Sequence, residues 1–433
     1  MKIIEGGVTA AKGFCAAGIA AGIKKSGKDM AMIYSEKACR VAGTFTTNLY
    51  KAAPVKWDQA IVKGGSGKQG NESCADCPAG EPSVGNPGKK ADGTAHAVVV
   101  NSGVANACTG EEGYGYCRAT AAKAAELFGI RENQVLIAST GVIGQQIPID
   151  KICAGIEAMK PQLSPDEEGG SLAAEAIMTT DTVKKEAAVQ ITLGGKTVTV
   201  GGMCKGSGMI HPNMCTMLSF ITTDADISRE MLQKALSASV PDTYNMISVD
   251  GDTSTNDTCL VLANGLAGNP EITEENEDYQ RFFEALNEVN TRLAKKMAAD
   301  GEGATALFEV KIIGARDKEQ AVTISKSVVS SSLVKAMIYG HDANCGRILC
   351  AMGYSGADFD PDQVDVYFES AAGKIKIIEN GVPNGYSEEE ATRILSESAV
   401  TAIADLKMGD AAATAWGCDL TYDYVKINAD YRS

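Results

Sequence analysis

Eleven turn-forming and backbone-permissive residues, Lys205-Gly-Ser-Gly-Met-Ile-His-Pro-Asn-Met-Cys215, end abruptly at a threonine and the apolar run Met217-Leu-Ser-Phe-Ile-Thr222. Two glycines and a proline rule out a continuous helix across the first part. The second part is short, apolar and bounded by a turn signal, which predicts a buried strand. The chain must therefore fold so that a long loop delivers Thr216 to the entrance of an interior strand. A hydroxyl there is a poor nucleophile without a base beside it. Cutting the chain before Thr216 would supply one in the same residue, because an α-amine titrates near ~8 and works as a general base at neutral pH. The alternative is a threonine with only a structural role at the strand entry.

The rest of the chain mixes strands and helices. Residues 97–101 and 134–138 are short apolar runs and are expected as strands, while 118–128 is alanine-rich with helical spacing. Residues 188–193 and 196–200, joined by Gly194-Gly195, predict a β-hairpin with a two-glycine turn. Further strands are expected at 217–222, 259–263, 306–313, 364–368 and 422–427, and helices at 278–297, 322–337 and 387–406. Hairpins interleaved with helices point to an α+β layered fold rather than a doubly wound sheet. No G-x-G-x-x-G follows a strand, and no Walker sequence is present.

The formal net charge of −15 argues against nucleic acid or an acidic membrane surface as partner, since both attract basic patches. No stretch of about 18 apolar residues occurs, so no spanning helix is expected. The opening Met1-Lys-Ile-Ile-Glu-Gly-Gly-Val reads as strand and turn, without a signal peptide, and a cytoplasmic location is expected. Thirteen scattered cysteines, as in Leu349-Cys-Ala-Met, fit reduced buried thiols better than a disulfide scaffold. The three histidines, His96, His211 and His341, are too dispersed for a metal site, and no metal is expected. His211 precedes Thr216 by five residues and is a candidate base or a turn support.

Residues 64–93 stand apart, with almost no large apolar side chains. Such a segment cannot bury enough surface to offset its ordering entropy and is expected to be an exposed loop. It holds Cys74-x-x-Cys77, which is open to three readings: an inert loop, a disulfide or redox pair, or half of a zinc site needing Cys108 or Cys117, or another subunit.

The segment 205–225 resembles the self-cleaving region of the ornithine acetyltransferase family, the glutamate N-acetyltransferases of arginine biosynthesis. Six further stretches are similar to family motifs and occur in the family's order. They are Asn101-Ser-Gly-Val-Ala-Asn-Ala-Cys-Thr-Gly110, Ser139-Thr-Gly-Val-Ile-Gly144, Ala176-Ile-Met-Thr-Thr-Asp-Thr182, Asp250-Gly-Asp-Thr-Ser-Thr-Asn-Asp257, Asp300-Gly-Glu-Gly-Ala-Thr305 and Asn428-Ala-Asp-Tyr-Arg-Ser433. Residues 64–93 are then an insert. Cys215 stands where the family usually has alanine, Val104 where it commonly has asparagine, and Cys345 where an aromatic residue is usual.

The resemblance implies a layered α/β sandwich and self-cleavage between Cys215 and Thr216, giving a 1–215 chain and a 216–433 chain, two of each in the assembly. It implies acetyl transfer from N-acetylornithine to glutamate through Thr216, with no cofactor and with acetyl-CoA as an additional candidate donor. Thr140 and Gly141 would form the oxyanion hole. Lys205 would pair with the α-carboxylate that both substrates share. Thr179, Glu302, Asn428 and Ser433 would complete substrate binding, Glu302 facing an ammonium. Thr180 and Thr182 lie close enough to Thr179 to compete for its role. Cys215 is an alternative nucleophile, though cleavage would leave it on the other chain.

Two other functions compete. A self-cleaving N-terminal-nucleophile hydrolase or aminopeptidase would use the same threonine with water as acceptor. A non-catalytic, glycine-rich or metal-binding module built around Cys74-x-x-Cys77 would remain a single uncut chain.

Overall fold

The computed structural model describes residues 1–64, 92–211 and 217–430. Among the described residues two mixed sheets form, each flanked by helices, so the fold is α+β and layered. In the larger sheet the strands lie, edge to edge, as Lys2–Ile4, Lys185–Leu193, Lys196–Lys205, Leu218–Thr223, Thr258–Ala263, Met30–Phe45, Thr94–Val104 and Val135–Val142, with Phe14–Ile19 paired to the long Met30–Phe45 strand. The second sheet runs Val382–Pro383, Gly373–Glu379, Asp365–Ser370, Ala399–Asp405, Leu307–Ala315, Ala411–Cys418 and Ile247–Ser248.

The predicted hairpin is present, its two turn glycines at φ +51° and +76°, the left-handed conformation that a two-residue turn needs. Leu218–Thr223, the strand after Thr216, is buried along its whole length. It pairs antiparallel with Lys196–Lys205 and parallel with Thr258–Ala263, at the middle of the sheet. The helix Glu277–Ala299 packs against the hairpin on one side and Ala411–Cys418 on the other, burying Phe282, Leu286, Val289 and Leu293 between the sheets. The helix Lys318–Ser330 covers Leu307–Ala315 and Ala411–Cys418. No single helix among the described residues is long and apolar enough to cross a membrane.

Some elements differ from expectation. The single helix expected at 322–337 is two, Lys318–Ser330 and Ser332–Tyr339. Ser331 adopts extended geometry at the break and its side chain caps the second helix. The helix expected at 387–406 stops at Leu395, and Ala399–Asp405 is a strand wedged between Leu307–Ala315 and Asp365–Ser370. The helical preference of its alanines yields there to pairing on both edges. The ten described cysteines are all free, but Cys350, read as one of the buried thiols, is exposed. Apart from its two ends the insert lies outside the described residues, and with it Cys74 and Cys77.

Candidate active site

One cleft of about 330 Å³ gathers residues from segments far apart in the chain: Thr140, Gly141, Thr179, Lys205, Glu302 and Asn428 all line it. That volume is within the usual range for a small-molecule site. Cys215, Thr216 and Ser433 lie outside the described residues. Met217, the described residue that follows Thr216, lines a recess of about 30 Å³ shared with Thr140, Lys205 and Asp257.

Thr140 and Gly141 end the strand Val135–Val142, which runs parallel to Thr94–Val104 and in register with Ser102 and Gly103. Gly141 sits at φ +129°, and a Cβ there would lie 2.3 Å from the carbonyl carbon of Gly103. Only glycine allows this close approach of two backbones. Behind it, Ser139 Oγ donates to Asn101 Oδ1 at 2.6 Å, and Asn101 Nδ2 donates to the Val104 carbonyl at 2.8 Å.

Lys205 closes the strand Lys196–Lys205 and stands opposite Leu218, so the hairpin's pairing places it beside the strand that Thr216 precedes. It is 8% exposed, and no hydrogen bond joins its ammonium to another described residue. Close by lies an ion cluster in which buried Lys185 contacts Asp181 at 2.6 Å and Asp300 at 2.5 Å. Asp181 also accepts from the backbone N–H of Gly206 at 2.7 Å and of Thr179 at 3.1 Å, tying the Thr179 and Lys205 segments together. Burial alone would raise the Asp181 carboxyl, but Lys205 and Lys185 outweigh it and hold the pKa down to about 2. Thr182 hydrogen-bonds Asp300 through both its hydroxyl and its backbone N–H, whereas Thr179 and Thr180 line the cleft.

Glu302 is 6% exposed. Its N–H donates to the Ser207 carbonyl at 2.9 Å, and its Oε2 accepts from Asn428 Nδ2 at 2.7 Å. A Cβ on Gly208 would lie 2.3 Å from this carboxyl group, so the glycine loop leaves room for it. The segment carrying Asn428, expected as a strand at 422–427, is instead the helix Tyr422–Ala429. Its alternating aromatic and β-branched residues mimic a strand, but Thr421 Oγ1 binds the Gly303 carbonyl at 2.7 Å and the backbone of Asp423 and Tyr424 packs on Gly303. Helical spacing then returns Asn428 to Glu302.

His211 does not line the cleft. Its Nδ1 pairs with Ser248 Oγ at 3.0 Å and its carbonyl accepts from Thr253 Oγ1 at 2.8 Å, which makes it a turn support. Burial and, secondarily, Lys326 lower its pKa.

A model of the ArgJ family matches residues 15–433. The chain belongs to the ArgJ family. It is 48% identical over 433 residues to the arginine biosynthesis bifunctional protein ArgJ of Caldanaerobacter subterraneus subsp. tengcongensis, with 100% of both chains covered. It is 50% identical over 422 residues to the protein of that name from Thermotoga neapolitana, covering 98% of this chain and 99% of the relative. Among solved structures it is similar to the crystal structure of the arginine biosynthesis bifunctional protein from Bacillus halodurans, at 48% identity and a TM-score of 0.47, over 48% of this chain and 97% of that one.

Two residues of this ArgJ-family cleft were not singled out from the sequence. Asn256 lines both the cleft and the recess, and Asp257 lines the recess. Burial pushes the Asp257 carboxyl well above the ordinary carboxylate range, against the opposing hydrogen bonds of Ser254 and Thr46. Both residues end the Asp250-Gly-Asp-Thr-Ser-Thr-Asn-Asp257 run. The available signal was an acid and an amide directly preceding the apolar strand Thr258–Ala263, where polar side chains are rarely buried unless employed.

Proposed function

We propose that this cleft transfers acetyl from N-acetylornithine to glutamate by way of an ester on Thr216, releasing ornithine and forming N-acetylglutamate. The protein is an acyltransferase of arginine biosynthesis. The observation that carries the reading is convergence: a buried lysine, a threonine–glycine strand end, a carboxylate and the start of the strand that follows Thr216 meet at the cleft and its recess from distant parts of the chain.

Self-cleavage comes first. The Thr216 hydroxyl attacks the Cys215 carbonyl, the amide becomes an ester by an N-to-O shift, and water releases the 1–215 chain. The freed α-amine then takes the proton from the Thr216 hydroxyl as that oxygen attacks the acetyl carbonyl of acetylornithine. Negative charge on the acetyl oxygen is stabilised by the Thr140 hydroxyl and the Gly141 N–H. Collapse expels ornithine, whose amine takes a proton, and the acetyl group stays on Thr216. The glutamate amine attacks this ester in the second half. Lys205 binds the α-carboxylate that donor and acceptor share, while Glu302, held by Asn428, faces the ammonium of ornithine. Thr179 and Ser433 complete the contacts. Two 1–215 chains and two 216–433 chains form the assembly, and acetyl-CoA serves as an additional donor.

Intact-mass measurement tests the scheme. The purified protein should separate into two chains under denaturing conditions, and acetylornithine alone should add one acetyl group to the 216–433 chain. A single full-length species that transfers acetyl would refute the N-terminal-nucleophile route. Release of acetate with no transfer to glutamate would favour the hydrolase reading.

A further inference from the structure

Asn256 stands within the cleft at 8% exposure, two residues before the strand Thr258–Ala263. Its Nδ2 donates to the Ala105 carbonyl at 2.6 Å and to the Ser139 carbonyl at 2.8 Å, and its Oδ1 accepts from Thr255 Oγ1 at 2.6 Å. A primary amide has two N–H donors, and both are committed to protein carbonyls. The orientation is set by its surroundings, because reversing the amide would point its oxygen at two carbonyl oxygens. Asn256 therefore has no N–H to offer a substrate, and any effect on chemistry must pass through the groups it holds.

Those groups bracket Thr140 and Gly141 at the end of their strand. The Ser139 carbonyl belongs to the peptide that joins Ser139 to Thr140. Ala105, the other acceptor, donates its N–H to the Val142 carbonyl at 3.0 Å, just beyond Gly141. Asn256 is itself fixed on its own side. The Thr255 carbonyl accepts from Ala52, the Asp257 carbonyl from Thr46, and Thr258 N–H donates to the Met217 carbonyl at 2.9 Å. A short bonded route thus runs from Met217, next to Thr216, through Thr258 and Asn256 to the peptide before Thr140.

We propose that Asn256 is a positioning residue for acyl transfer, its side-chain amide clamping the Thr140–Gly141 end of the strand at a set distance from Met217, the residue that follows Thr216. The inference rests on the acyl-transfer reading above. If the chain is cut before Thr216, Asn256 and Thr216 belong to one chain while Ser139, Thr140 and Ala105 belong to the other. The clamp then registers the nucleophile's chain against the oxyanion donors of its partner chain.

The test is the acetylation rate of the 216–433 chain by acetylornithine, followed by rapid quench and mass, in Asn256→Asp. Aspartate keeps the volume but faces two carbonyls with oxygens instead of N–H donors. Acylation should fall roughly 10- to 100-fold, since misplacing an aligned group by about 1 Å costs on that order. The Michaelis constant for acetylornithine should stay within about threefold, since substrate contacts are untouched. Adding Thr140→Ala should lower the rate little further than Thr140→Ala alone, because both changes act on one device. A purely structural role would instead make the two losses multiply. Wild-type acylation, multiplying losses, or a rise confined to the Michaelis constant would each overturn the proposal. If Asn256→Asp does not fold, Thr255→Val decides: it keeps the amide, frees its Oδ1, and should slow acylation several-fold at unchanged Michaelis constant, with unchanged acylation counting against the clamp. A wild-type protein that never forms acetyl-enzyme would refute the acyl-transfer reading itself.

Discussion

Replacing Gly141 by alanine tests the oxyanion strand end at the point of tightest geometry. At φ +129° an L-residue is strained, a cost on the order of 1–3 kcal/mol. The new Cβ would also lie 2.3 Å from the Gly103 carbonyl carbon, 2.5 Å from its oxygen and 2.7 Å from Val104 N, all backbone atoms that cannot rotate away. Ordinary contact begins at 3.4 Å, so the strands carrying Gly141 and Gly103 must separate by about 1 Å. That is the scale of misplacement expected to cost about 10²-fold in rate. Gly141→Ala should therefore lower kcat/KM for acetylornithine by roughly two orders of magnitude, most of it in kcat. It should also lower stability by a few kcal/mol. Stopped acylation assays and urea unfolding measure the two effects, and mass spectrometry reports the fraction already cleaved. An alanine variant that is cleaved and transfers acetyl within threefold of wild type would refute both the strain argument and the role of this strand end.

Lys205→Met should raise the Michaelis constants of acetylornithine and glutamate together, by roughly 10- to 10²-fold, since a buried charge-assisted bond contributes on the order of 1.5–3 kcal/mol; steady-state kinetics with each substrate varied checks this. Asp181→Asn leaves Lys185 with one carboxylate and Lys205 with an uncompensated neighbour, so it should destabilise by about 3–5 kcal/mol in denaturant titrations at pH 7. Because the folded Asp181 pKa is about 2, below its unfolded value, its contribution is present above pH ~4 and is lost as pH falls towards 2; the difference between wild type and Asp181→Asn should shrink over that window. Asp257 has the opposite sign. Its folded pKa is raised, so its contribution is full below pH ~4 and declines as pH rises, and Asp257→Asn should gain stability relative to wild type as pH rises above ~4, read as the melting temperature across pH. A constant offset at every pH would contradict a buried, protonated carboxyl.

The glycine-rich run ending at Thr216, the two-glycine hairpin and the apolar strands were legible because each is a local pattern: turn residues beside short apolar segments leave few conformations to choose among. Where neighbours in space decide, local pattern misled. Ala399–Asp405 reads as helix by its alanines and is a strand because two other strands claim its edges. Tyr422–Ala429 reads as a strand by its aromatics and is a helix because Gly303 and Glu302 take its N-terminus and its Asn428.

The candidate site divides the same way. Motif resemblance named Thr140, Gly141, Thr179, Lys205, Glu302 and Asn428 one segment at a time. That these six share one cleft follows from sheet order and register, which hydrophobic periodicity does not encode. Asn256 and the Asp181–Lys185–Asp300 cluster escaped notice because an amide or a carboxylate in a polar run looks solvated until folding removes the water around it. Its hydrogen-bond partners are then supplied by residues more than a hundred positions away, such as Ser139 for Asn256 and Asp300 for Lys185. What the sequence determined by itself was the set of elements and the chemistry each carries; pairing between distant segments decided which side chains meet, because contact across the sheet depends on register and burial that no single segment contains.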